Sequence, residues 1–384
     1  MERESQNDSA RVRSRDTAGR GRGDRTLEVN DFILDNVQEH PRDILRLTGQ
    51  RFGFSRQMAN RYADSLVAAG LLDARGKTRA RQYTLRPIVE TCHTIRLTTD
   101  VAEDAVWRQY IAPHLSSIPL NVLRICQYGF TEMFNNAIEH SEASRARIAL
   151  TLDASNVRMM VFDYGIGLLN KLARDLNVTD GRVALSQLLK GKLTTAAERH
   201  SGEGIFFTSR VFDDFALHAG RFVFRCRDEL REYELDDSKD YVARGTTVSM
   251  KIALRSERTL SSVFSRFTLP ETNAFDRTHV LVKLSAYSDE GLVSRSQARR
   301  IVSRLPEFKD VTLDFQGIEY IGQAFADEVF RVFANSHPAI SLRPVNANAD
   351  VSLMIRRAQS RGGVEHRGLA GAGNQQVEDS RNPA

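Results

Sequence analysis

The chain has 384 residues, 41% hydrophobic and 27% charged, an ordinary globular balance with room for two or three domains. No run approaches the roughly 18 apolar residues of a membrane helix, the polar start Met1-Glu2-Arg3-Glu4 lacks the apolar core of a secretory signal, and three scattered cysteines fit a reduced, cytoplasmic protein. The net charge is only +5, yet between Ser55 and Arg86 seven basic residues stand against two acidic ones, an excess that equals the surplus of the whole chain and marks a polyanion-binding face.

Residues 1–25 are rich in Arg, Ser, Gly and Asp and cannot bury enough surface to order themselves, so a disordered tail is expected. Over 26–87, Leu27, Phe32, Ile33 and Val37 recur at helical spacing, and a second short helix over 43–52 ends at Gly53. A third starts at Ser55, a good N-cap, carries Met58, Tyr62, Leu66 and Val67 inward, and closes at Gly70. Two short strands, 71–74 and 81–85, flank a basic turn over 75–79.

From 88 to 256 helices and strands mix, with strands over 94–97, 146–152, 157–162, 222–226 and 246–253 and helices over 101–114, 122–140, 168–176 and 205–211. After a polar linker, 257–275, strands and helices alternate over 276–358, which predicts a small α/β domain. Residues 359–384 form a second polar tail.

Four local patterns carry chemistry. In Glu132-Met133-Phe134-Asn135-Asn136-Ala137-Ile138-Glu139-His140, the residues Glu132, Asn136 and His140 fall on one helix stripe. A carboxylate one turn from an amide suits a hydrated magnesium site, the amide oxygen as a hard ligand and the carboxylate to orient water. Asp163-Tyr164-Gly165-Ile166-Gly167 follows a strand, where the glycines let backbone approach a flat ligand and Asp163 can accept a proton from an exocyclic amine. Gly202-Glu203-Gly204 opens a helix whose N–H groups suit phosphate. Gly245-Thr246-Thr247 begins a strand, with a hydroxyl to share the site with Asp163. Each pattern alone is weak: the stripe is more often a solvated helix face, and Asp-X-Gly-X-Gly more often a tight turn.

Together and in this order they resemble the GHKL ATPase superfamily, over roughly 95–254. The resemblance implies a Bergerat-type α/β sandwich with ATP between helices and sheet. Carried over, it gives Asn136 to Mg²⁺, Glu132 to water activation as the catalytic base, and Asp163 to the adenine amine, with Thr247 helping through a water. It places Gly165 and Gly167 along the adenine and Gly202 and Gly204 at the phosphates. It also makes 168–201 a mobile lid, in which Lys192, Thr194, Thr195 and Arg199 could reach phosphate.

Residues 26–87 resemble a winged helix-turn-helix domain. That implies double-stranded DNA as partner, with Arg56, Gln57, Asn60 and Arg61 on the recognition helix and Arg75, Lys77, Arg79 and Arg81 on the wing. Residues 276–358 resemble a STAS-like domain through 311–327, with Gln323-Ala324 where phosphorylated antagonists carry serine. The fold class expected is therefore multidomain α/β: winged helix, GHKL sandwich, small STAS-like domain.

This organisation leads to an ATP-responsive DNA-binding transcriptional regulator. A regulatory protein at the STAS-like domain, or a second copy in a homodimer, is a further partner it allows. The alternatives are a protein serine/threonine kinase resembling anti-sigma-factor kinases, and a scaffold that binds ATP without turnover.

Overall fold

A computed structural model of the chain describes residues 24–98, 100–178, 181–191, 203–227, 232–237, 243–268, 275–285 and 292–368. The first unit packs three helices, α1 (24–36), α2 (Ile44–Phe52) and α3 (Arg56–Ala68), against an antiparallel hairpin, β1 (Leu72–Arg75) and β2 (Gln82–Leu85). Gly53 ends α2 at φ 68°, a left-handed turn that glycine adopts without a Cβ clash. The Ser55 hydroxyl then caps α3 by accepting from the Met58 N–H at 3.2 Å. Val29, Ile33, Val37, Ala63, Leu66 and Tyr83 form the core. Met58 was expected inside but is 40% exposed, and Leu27 is exposed too. The buried positions of α3 are Ala59, Ala63 and Leu66, so the apolar stripe runs one residue later than its larger side chains suggest.

The middle unit holds β3 (Val89–Arg96), α4 (Glu103–Val106), α5 (Leu120–His140), β4 (Arg145–Leu152), β5 (Asn156–Asp163), α6 (Leu168–Asp175), α7 (Gly181–Lys190), α8 (Gly204–Val211), β6 (Asp214–Gly220), β7 (Phe222–Arg227), β8 (Glu232–Asp237) and β9 (Ala243–Ala253). Its sheet runs β3-β4-β5-β9-β6-β7-β8, antiparallel at every pairing. Strand alternation turns Ile148, Leu150, Met159, Val161, Phe215, Leu217, Val248 and Met250 onto the face that meets α5 and its neighbours. Arg147, Phe162, Thr247 and His218, aligned across four strands, take the opposite face.

Part of the expected lid is packed helix: α7 buries Ala184, Leu185, Leu188 and Leu189. Its first stretch is helix too, α6, and its end from 192 to 201, with Lys192, Thr194, Thr195 and Arg199, lies outside the described residues, as does Gly202.

The expected linker is not a simple spacer. It contains α9 (Leu260–Phe264), whose Thr259 and Ser262 form a reciprocal capping box and whose Val263 is buried. The third unit has β10 (Arg277–Leu281), α10 (Arg295–Val302), β11 (Asp310–Asp314), α11 (Gln323–Asp327) continuing through a π turn at Glu328–Phe333, β12 (Ser341–Val345) and α12 (Ala349–Gly368). Its three strands are parallel in the order β10-β11-β12. The backbone of α12 continues past 359, where a tail was expected.

Candidate functional site

The twenty-one residues of α5 set the site's geometry by burying Met133, Phe134 and Ala137 in the core. This leaves Glu132, Asn136 and His140 at successive turns of a flank that is only partly covered. Asn136 and His140 line a pocket together with Met133, Ala137 and Ser141 from the helix and its end, Asp163 at the end of β5, and Thr246 on β9. Val161, Val248, Leu168 and Ile205 supply its apolar walls.

Asp163 is buried, with 5% of its surface exposed. Burial pushes its carboxyl up from the ordinary carboxylate value, while hydrogen bonds from Gly165 and Thr246 oppose the rise. The Gly165 N–H donates to Oδ1 of Asp163 at 3.0 Å. Thr246 is fixed in turn, because its Oγ1 accepts from the Leu168 N–H at 2.8 Å. Sequence reasoning gave this position to Thr247. The structure places Thr247 on the other face of the sheet, between Phe162 and His218, so Thr246 is the hydroxyl beside Asp163. The parity of β9 decides this, and it is set by pairing with β5 and β6 rather than by the local sequence.

The motif glycines have a role the sequence did not indicate: they press three protein segments together around the pocket. A Cβ on Gly165 would lie 1.8 Å from the Ser141 carbonyl oxygen, and one on Gly245 would lie 2.0 Å from that of Asp163. One on Gly204 would lie 2.2 Å from Oε2 of Glu132, so the start of α8 rests directly on that carboxylate. Gly167, at φ 84°, precedes α6.

The donor set fits a magnesium nucleotide. Asn136 presents a buried amide nitrogen with no hydrogen-bond partner among the described residues, a costly arrangement unless something completes it. Rotation of the amide exchanges its nitrogen and oxygen, so the same side chain can offer a hard ligand. Among the described residues no group of three or more His, Cys, Asp or Glu could cage a metal. A cation here would share ligands with phosphate and water, which is how Mg²⁺ usually binds.

The same helices reach into the third unit. Along α8, Gly204 touches Glu132 and Ile205 lines the pocket, while Phe206 and Phe207 belong to the core of the C-terminal unit. Their rings lie 4.6 Å from Phe275 and 4.3 Å from Phe264, respectively. At the end of α7, Nζ of Lys190 donates to the carbonyl oxygens of Ile301 at 2.8 Å, Ser303 at 3.0 Å and Arg300 at 3.1 Å, around the C-terminal end of α10. The Thr278 hydroxyl donates to the Lys190 carbonyl at 2.6 Å. Burial pulls the Lys190 ammonium down to about 7. Lys190 is therefore a structural tie, and no local signal distinguished it from Lys192.

On the first unit, Arg56, Gln57 and Arg61 of α3 and Arg75 and Lys77 of the hairpin are exposed. Asn60 and Arg81 are engaged within the unit instead. The Asn60 amide donates to Asp64 at 2.6 Å and accepts from the Tyr83 hydroxyl at 3.3 Å, and Arg81 donates to Asp64 at 2.7 Å. These bonds tie Tyr83 of β2 and Arg81 just before it to α3. The backbone of Arg79 forms a short 3₁₀ turn, and its side chain lies outside what is described. Arg42, Arg46 and Gln50, which sequence reasoning missed, line the same concavity as Arg56 and Gln57.

In the third unit Gly322 precedes α11, so Gln323 and Ala324 open that helix as the sequence indicated. Comparison with known proteins bears on this unit alone. No curated protein matches the chain. Residues 297–352 match the family model described as STAS-like domain of unknown function (DUF4325), so the C-terminal unit is STAS-like over that stretch.

Proposed function

We propose that the chain is an ATP-binding, DNA-binding regulator, in which a GHKL-type pocket controls the affinity of a winged helix for DNA or of the STAS-like unit for a partner. The observation that carries this reading is the meeting of Asn136, Asp163 and Thr246 around one pocket, with Glu132 one turn before Asn136 and against Gly204. In this reading Asp163 accepts the adenine amine and Asn136 holds Mg²⁺. The metal would neutralise phosphate charge, and Glu132 is the carboxylate in place to orient water. The exposed Arg56, Gln57 and Arg61 carry base and phosphate contacts, with Arg75 and Lys77 on phosphate.

Coupling is supported by α8, whose successive residues face the pocket and the C-terminal core. Calorimetric titration with a non-hydrolysable ATP analogue and Mg²⁺ should show saturable binding that Asn136→Ala and Asp163→Asn abolish. Operator DNA affinity, measured at fixed salt because phosphate contacts are salt-sensitive, should shift when the analogue is added. Equal DNA affinity with and without nucleotide, alongside normal nucleotide binding, would disprove the coupling.

A further inference from the structure

The face of the seven-stranded sheet opposite the pocket carries an arrangement that neither nucleotide binding nor the winged helix uses. Arg96 on β3 lies directly across from Arg145 on β4, and Arg147 follows two residues later on the same face. All three side chains are exposed. Like charges directly opposite on neighbouring strands destabilise a sheet. Elsewhere on this sheet such charge is compensated: Arg158 lies 3.0 Å from Asp153, and Arg225 and Arg227 each lie 3.7 Å from Asp214. Arg96, Arg145 and Arg147 have no carboxylate partner among the described residues.

Beside them are two aromatic rings. Phe162 is aligned with Arg147 across the β4–β5 pair, and Tyr164, just past the strand, is 36% exposed. The two rings meet edge to face at 4.4 Å. The Arg145 guanidinium lies over the Tyr164 ring at 4.7 Å, and that of Arg147 approaches it at 6.0 Å. The result is one exposed ring, Tyr164, with half-buried Phe162 set edge-on to it and the Arg145 guanidinium over it, beside arginines that have no carboxylate partner among the described residues.

We infer that this face binds single-stranded nucleic acid, with a base stacking on the Tyr164 ring or on the Arg145 guanidinium over it, and phosphates neutralising Arg96, Arg145 and Arg147. The arginines alone would suit any polyanion. The exposed ring of Tyr164 selects one whose bases are free to stack on it, which bases paired and stacked inside a duplex are not. The site is separate from α3.

Fluorescence anisotropy of the full chain with a short labelled oligo-dT, at fixed salt, tests this. Wild type should bind. Arg145→Gln with Arg147→Gln should weaken binding about tenfold or more, and Tyr164→Ala should weaken it by on the order of tenfold, as expected for loss of one stacked base. Arg56→Ala with Arg61→Ala should weaken it less than Arg145→Gln with Arg147→Gln does. An abasic strand, with the same phosphates but no bases, should bind more weakly than oligo-dT. Circular dichroism and thermal melting should show every variant folded, and Tyr164→Phe should bind like wild type. The inference falls if wild type ignores oligo-dT, if abasic strand and oligo-dT bind alike, or if only the α3 variant loses affinity. It falls equally if folded Tyr164→Ala binds as tightly as Tyr164→Phe.

Discussion

Gly204, Gly165 and Gly245 each lack room for a methyl group, yet alanine at the three positions should act differently. At Gly204 the obstacle is the end of the Glu132 side chain, which can swing aside. Gly204→Ala should therefore fold normally while any phosphate release from ATP drops, because the carboxylate is displaced. At Gly165 and Gly245 the obstacle is backbone, and Gly245 also sits at φ 81°. Alanine there should destabilise the fold by several kcal/mol, on the order of other overpacked or strained sites, read as a lowered denaturation midpoint.

The hydroxyl beside Asp163 gives a second contrast. Thr246→Val should weaken nucleotide binding by about tenfold, roughly the worth of one hydrogen bond near a charge, whereas Thr247→Val should leave calorimetric affinity unaltered. Only the ionised form of Asp163 can accept the adenine amine without also donating. Its raised pKa means that affinity should fall with decreasing pH before an ordinary carboxylate at 3.8 would titrate. Asp163→Asn should remove that dependence together with the binding.

The helices carry the next set of consequences. Lys190 ends α7 inside a cup of carbonyl oxygens, with Arg304 and Glu307 as the charged groups that bear on it. Its pKa is about 7 in the fold against 10.5 when exposed, so between those values the unfolded chain binds the extra proton. Stability should therefore rise as pH increases from about 7 towards 10.5. Denaturant midpoints across that range should show the rise for wild type and lose it for Lys190→Met.

Legibility in the sequence follows the same division between local and non-local causes. The stride Glu132–Asn136–His140, the Ser55 cap and the glycine turn at Gly53 depend on neighbours a few residues away, and each was readable. The parity of Thr246, the burial of Lys190 and the engagement of Asn60 by Tyr83 depend on partners far along the chain. The aromatic residues Phe264, Phe267 and Phe275 were hidden in a stretch whose average is polar, so it read as linker. The three-residue C-terminal carbonyl cup had no sequence pattern at all.

At the scale of the molecule, one hydrophobic core among the described residues belongs to the first unit, and two others meet along α7 and α8. The first unit is joined to the middle one by Arg255, which reaches Asp31 and, at 2.7 Å, Asp35. These are half-exposed ion pairs, each worth little. The join between middle and C-terminal units is aromatic and buried. Phe206→Ala should cost about 3–5 kcal/mol, as core aromatic truncations do. Hydrogen exchange should then quicken in α8 and in 297–352 together, while the first unit keeps its protection.

That shared core also bears on how such a chain can be divided or recombined. A fragment beginning at 276 would lack Phe206, Phe207 and Phe275 from its interior and Lys190 from the end of α10. Its aromatic surface and three carbonyl oxygens would face water, and the fragment should be poorly soluble when expressed alone. A cut near 180, which keeps α7 and α8 with the C-terminal unit, would retain these contacts but remove α8 from the pocket. The C-terminal unit is therefore not a cassette that can be exchanged between proteins on its own. A hybrid that borrows it must bring α7 and α8 along, and with them one wall of the pocket.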